Sequence, residues 1–197
     1  MPIRKRMNSD ESRAAAVAAA RGLLRDEGVA AVTLKAVAAR IGRTHANLLH
    51  HFGSVAGLHR ALAEDIAHQV AGSITGSIGR MRRGEVRLRD VIGGMFDAFE
   101  EQRVGELMAW VVLTRQREAL QPVVDSIAQV VRDITEAGDT RPLDQATLGL
   151  VLLAIGDSLA GGEVARACGL PRSAARDIAV RQVIAVLTGK TGSADPR

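Results

Sequence analysis

The stretch 33-TLKAVAARIGRTHANLLHHFGSVAGLHRAL-62 decides how this chain is read. Leu34, Val37, Ala38 and Ile41 recur at i, i+3, i+4 and i+7, the spacing of one buried stripe on a helix. Gly42 follows, where a chain leaving a helix can turn left-handed without a Cβ clash. Thr44 then caps a second short helix, His45 to His51, whose inward residues are Leu48 and Phe52. What remains on it, His45, Ala46, Asn47, Leu49 and His50, is small or polar. Those residues make a convex edge of the kind that enters a DNA major groove. Ser54 caps a longer third helix, to about residue 70, that turns Leu58, Leu62 and Ile66 inward.

Upstream, a helix from Ser9 or Asp10 to Glu27 carries Val17, Ala20, Leu23 and Leu24 on one side and is stopped by Gly28. It is placed to brace the helix-turn-helix from behind. The basic start MPIRKRMN lacks anchoring apolar residues, so Arg4, Lys5 and Arg6 read either as an arm along phosphates or as a loose solubilising end.

Gly28, Thr33, Val37-Ala38, Gly42, Thr44, Leu48, His50-His51-Phe52, Ser54 and Leu58 together resemble the N-terminal domain of the TetR family (TetR/AcrR-like) of bacterial transcription regulators, over roughly residues 13–62. The resemblance implies an all-α protein of about nine helices. An N-terminal three-helix helix-turn-helix DNA-binding domain would be followed by a C-terminal helical ligand-binding and dimerisation domain. On that footing Lys35, Arg43, Thr44, His45 and His50 are expected to position the head on phosphates, with Asn47 and His45 toward base edges and Ala46 and Leu49 on the same edge. Three positions depart from the family pattern. Arg43 replaces an apolar residue, Leu49 a tyrosine that touches phosphate, and Val55 a lysine that reaches the backbone. DNA binding should therefore lean more on Arg43, the His45/Asn47 edge and the arm.

Composition agrees with packed helices. Of 197 residues 47% are hydrophobic but only 2% aromatic, and there is no tyrosine. Small and branched aliphatics of this kind favour helices over a sheet. The net charge of +4 is unevenly spread. Residues 1–60 hold ten Lys/Arg and four acids, a balance of +6, which leaves −2 for the remainder. The cations sit with the recognition element, as a polyanion-binding head requires.

Read along the chain, residues 1–8 form the arm, 9–70 the DNA-binding domain, 71–87 a Gly/Ser-rich connector, 88–189 the ligand-binding and dimerisation domain, and 190–197 a tail. Helices are expected over Leu88–Glu101, from Val104 to about Glu118, from Pro122 to Ala137, from Asp144 to Ala167 and from Pro171 to Leu187. Met95, Phe96, Phe99, Met108 and Trp110 concentrate bulky side chains in an otherwise Ala/Val/Leu chain. They read as core or, as the resemblance implies, with Val111 and Thr114 as the lining of an effector pocket. On the last two helices Leu148, Leu152, Ile155 and Leu159, and Ile178, Gln182 and Val186, belong to apolar stripes that exceed what one small domain can cover. A four-helix bundle with a second subunit would cover them. Asp157 lies within that apolar run and needs a rim, an interface or a polar ligand atom to sit against.

Other chemistries lack a motif. The five histidines do not form HExxH, there is no CxxC, no phosphate loop and no nucleophile elbow, so no metal, cofactor or enzymatic activity is expected. The histidines of the head read as surface or phosphate contacts. A single cysteine, Cys168, and no signal-like N-terminus fit the cytoplasm. Leu148–Ile155, the longest apolar run, is too short to span a bilayer, so no membrane is expected. The reading is a homodimeric, ligand-responsive regulator of double-stranded DNA, a repressor released from a pseudo-palindromic operator by a small, mostly apolar effector. The competing reading is a helical partner-binding or structural protein whose helix-turn-helix no longer binds DNA.

Overall fold

A computed structural model describes residues 9–135 and 141–189. The arm residues Arg4, Lys5 and Arg6 and the tail from residue 190 lie outside them. Among the described residues there are nine α-helices and no strand: α1 Ser9–Glu27, α2 Leu34–Arg40, α3 His45–Phe52, α4 Val55–Arg82, α5 Leu88–Glu101, α6 Val104–Leu113, α7 Gln121–Ile134, α8 Leu143–Ala167 and α9 Ala174–Leu187. Short 3-10 turns occupy Val29–Ala31 and Arg117–Leu120. The all-α expectation holds, and α3 and α4 begin at the capping residues expected of them, Thr44 and Ser54.

Three boundaries differ from the sequence reading. Residues 71–82, taken as connector, continue α4, and the chain turns only at Gly84, where φ is 76°. Ala, Ile and Met between the glycines keep the helix going, since each Gly costs only about 1 kcal/mol against Ala. α6 ends at Leu113 rather than near Glu118, because Arg115 takes a left-handed φ of 59°. α9 starts at Ala174 rather than at Pro171.

The chain forms two compact units. The first comprises Met1–Ala67 with Glu106–Val123, the second His68–Gly105 with Val124–Arg197. The segment 106–123, assigned from sequence to the ligand-binding domain, thus belongs with the head. The core of the first unit is Ala16, Ala20, Leu24, Val37, Leu48, Leu58 and Leu62, all fully or almost fully buried. Gly57 admits the tight α3–α4 junction: a Cβ there would lie 2.0 Å from the Phe52 carbonyl oxygen. Any side chain at this position would have to force that backbone apart.

The second unit packs Ile92, Phe96 and Phe99 of α5 with Ala154 of α8 and Ala179 and Val183 of α9 in its core. Charge pairs tie α5 to α9. Arg176 bridges Asp97 and Glu100 and lies over the Phe96 ring, and Arg89 meets Asp177 at 2.8 Å. Asp157 is buried and receives a 2.5 Å hydrogen bond from Arg172, whose second nitrogen lies 3.4 Å from Glu100. The hydrogen bond to Asp157 raises the Arg172 pKa further. The carboxylate therefore has its partner within the subunit. Gly161 makes room for it, since a Cβ there would stand 2.1 Å from Asp157 Oδ1.

Candidate nucleic-acid interface

Thr33 and Thr44 cap α2 and α3 through their hydroxyls, which accept from the N–H of Ala36 at 3.1 Å and of Asn47 at 3.2 Å. Gly42, with φ 65°, turns the chain between the two helices. Ser54 likewise accepts from the Gly57 N–H at 3.0 Å as α4 starts. These local bonds fix α3 at eight residues, with Leu48 completely buried beneath it. Arg13 of α1 lies 5.3 Å over the Phe52 ring and holds the far end of α3.

Burial sorts the sites read from sequence. Lys35, Arg43, Thr44, His45, Ala46, Leu49 and His50 are all exposed, on α2, the turn and α3. Lys35 and Arg43 have no carboxylate partner among the described residues. Other cations of the head are committed internally: Arg21 to Asp65 at 2.8 Å, and Arg40 to Asp26 at 2.8 Å. The Arg40 guanidinium holds the Asp26 carboxyl below its usual range. Lys35 and Arg43, beside α3, are not committed in this way.

Asn47 departs from its expected role. It is half-buried, and its Oδ1 is shut off from solvent without a hydrogen-bond partner. A purine edge needs donor and acceptor presented together, and here the acceptor faces inward. On the helix Asn47 lies about 60° beyond His50, at the flank of the exposed residues rather than among them.

His59, grouped from sequence with the surface histidines, is only 2% exposed. Its Nε2 lies 3.0 Å from the Val32 carbonyl and its Nδ1 3.1 Å from Gln116 Oε1, with Trp110 edge-on at 6.5 Å. The carbonyl can only accept, so Nε2 carries a hydrogen. Its burial was legible: Leu62, Ala63 and Ile66 follow it at i+3, i+4 and i+7. Gln116 was not, because only folding brings it to α4. Glu106 makes a second such tie, accepting from the Val29 N–H at 2.8 Å. The segment 106–123 is thereby bonded directly to the first residue of the 3-10 turn that leads into α2 and, through His59, linked to Val32 just after it.

The bulky cluster separates. Met95, Phe96 and Phe99 are core of the second unit, while Met108, Trp110, Val111 and Thr114 belong to the first. Within the first unit Val111 is buried, Met108 and Trp110 are half-buried, and the Trp110 Nε1 is enclosed without a partner. Thr114 is exposed, with its hydroxyl donating to the Trp110 carbonyl at 2.7 Å.

On α8 and α9 Leu148, Leu152, Leu159, Ile178 and Gln182 are exposed and Ile155 is half-buried. Val186, expected on the same outer face, is instead packed in the core of its own unit. By length and composition α8 is also apolar enough to cross a membrane, contrary to the reading from its longest apolar run. Glycines and small residues extend its apolar window beyond the bulky stretch.

Residues 16–62, the span of α1 to α4 that carries this interface, match the family profile described as bacterial regulatory proteins, tetR family. No curated protein matches the chain.

Proposed function

Since its head, residues 16–62, is that of a TetR-family DNA-binding transcriptional regulator, we propose that this chain is the subunit of a homodimeric, effector-responsive repressor. The observation that carries the DNA contact is the agreement of exposure with charge. The outward arc of α3 is flanked by Lys35 and Arg43, neither of which has a carboxylate partner among the described residues, while Arg21 and Arg40 of the same head are paired internally. Arg43, Lys35 and Thr44 position the head on phosphates, and His45, Ala46, Leu49 and His50 face the bases.

The dimer reading is supported by Leu148 at 61%, Leu152 at 60% and Leu159 at 48% exposed on α8, with Ile178 beside them on α9. A row of large apolar side chains at this exposure marks a surface that is covered in the working molecule. A second subunit suits it better than a bilayer, because α8 buries the ion-paired Asp157 on its other side. Two heads then read a pseudo-palindrome with half-sites about 34–36 Å apart. Such a protein works where chromosomal DNA is, in the cytoplasm.

Response to an effector is supported by the ties of segment 106–123. A small, mostly apolar molecule displacing Met108, Trp110 or Val111 would act on a segment bonded to Val29 and, through His59, to Val32. It changes DNA affinity only to the extent that it binds the two states differently.

The test is retention of genomic fragments by the purified protein, followed by sequencing and a salt series. A pseudo-palindrome among the retained fragments, with affinity falling steeply as salt rises, is expected. A flat salt dependence without enrichment would mean that the helix-turn-helix serves a protein partner instead. Compounds that quench Trp110, the only tryptophan, are expected to release the operator; quenching without release would remove the effector claim.

A further inference from the structure

The exposed arc of α3 is apolar at its centre. At about 100° per residue, His45, Leu49, Ala46 and His50 follow one another round the helix at about 0°, 40°, 100° and 140°. Leu48, fully buried, falls at about 300°. The two imidazoles therefore form the margins of the arc, and Leu49 with Ala46 its middle. Leu49 is 43% exposed, and the one amide on the helix suited to adenine, Asn47, has its acceptor turned inward.

An apolar centre needs an apolar counterpart if the arc is to displace water from a groove. Among base-pair edges in the major groove, hydrogen-bonding groups predominate, and the apolar feature is the C5-methyl of thymine. We infer that Leu49, seated beside Ala46, is a specificity-determining residue that takes up a pyrimidine C5-methyl group in the major groove. The inference rests on the reading of α3 as the recognition helix and adds to it what that helix reads. His45 and His50 are left to hydrogen-bond the edges on either side of the methyl.

Two sources supply this group, thymine and 5-methylcytosine, and the experiment separates them. The full-length protein is used to enrich duplexes from two random pools, one unmodified and one with 5-methylcytosine at every cytosine. Sites built on thymine in both pools assign thymine. Sites that use cytosine in the methylated pool alone assign 5-methylcytosine. Each thymine of the enriched duplex is then replaced by deoxyuridine, which removes only the methyl. At one or two thymines per half-site this is expected to weaken binding about fourfold, the equivalent of ~0.8 kcal/mol for one buried methyl-sized group. Where the methylated pool alone yields the site, removal of the cytosine methyl at that position takes the place of the uridine exchange. Leu49→Ala should weaken the methylated duplex by a similar factor and bind both forms alike. The residue is exposed on a helix that alanine favours, so the variant is expected to fold. Retention of DNA with a steep salt dependence, but no effect of the methyl or an effect that persists in Leu49→Ala, overturns the inference and leaves the recognition-helix reading standing. Failure to retain any DNA overturns both.

Discussion

The edge of α3 and the outer face of α8 and α9 are both uncovered in the single chain, yet they ask for different partners. The first is one short helix with two imidazoles at its margins and free cations beside it, Lys35 and Arg43. The second is a longer row, Leu148, Leu152 and Leu159 with Ile178, backed by a carboxylate that is already paired. Exposure alone does not distinguish them; the chemistry of what is exposed does. Polar and cationic groups lose little by remaining hydrated until a polyanion arrives, whereas apolar rows are stable only when covered.

The largest effect that can break this contrast is expected on the apolar side. Leu152→Asp places a carboxylate in the row, and in sedimentation experiments the dimer should dissociate. Operator affinity should fall at least about 100-fold, because an unpaired carboxylate in an interface costs several kcal/mol. An unaltered dimer would show that the face is covered by something else or by nothing.

Next comes the support behind that face. Arg172→Ala strands Asp157 in the core and should cost about 3 kcal/mol in urea unfolding, the lower end of the range for breaking a buried pair because Arg172 itself is partly exposed. Arg89→Ala, whose pair with Asp177 is largely exposed, should cost under about 1 kcal/mol. Equal losses would mean that burial of Asp157 does not govern the network.

On the α3 side the effects are smaller. Arg43→Ala should reduce the slope of log affinity against log salt by about 1 per subunit and weaken random and selected DNA alike. Arg40→Ala should leave the slope nearly unchanged, since that cation already serves Asp26. Asn47→Ala should leave base discrimination intact and raise stability slightly, by about 1 kcal/mol or less, because it removes an enclosed acceptor without a partner. A loss of discrimination in titrations against selected and random duplexes would return Asn47 to the bases. The smallest effect is that of acid. The Arg40 guanidinium holds the Asp26 pKa below its ordinary value of 3.8, so the pair contributes above that value and is lost as pH falls through the lowered one. Asp26→Asn should therefore remove a little of the acid sensitivity of the head below about pH 4, as read by circular dichroism.

Much of the head was legible because its signals are local. The α2 stripe, the glycine turn and the capping Thr44 and Ser54 act within a few residues of one another. The end of α4 was misread because the glycines between 71 and 82 suggested a break that the helix tolerates. His59 differs for another reason: its residue type suggests the surface, whereas its i+3, i+4 and i+7 neighbours are apolar and it is buried with them.

What the sequence by itself determined is the class of the molecule: helical throughout, with a basic helix-turn-helix head and apolar stripes too many for one small domain. Those follow from periodicity, capping and charge, which are properties of neighbouring residues. Tertiary structure alone decided that residues 106–123 belong with the head, through Glu106 to Val29 and Gln116 to His59. It alone decided that Asp157 is answered by Arg172 rather than by a ligand, and that Asn47 faces in while Leu49 faces out. Each depends on which side of a helix another segment covers, and that is a matter of packing between residues far apart in the chain.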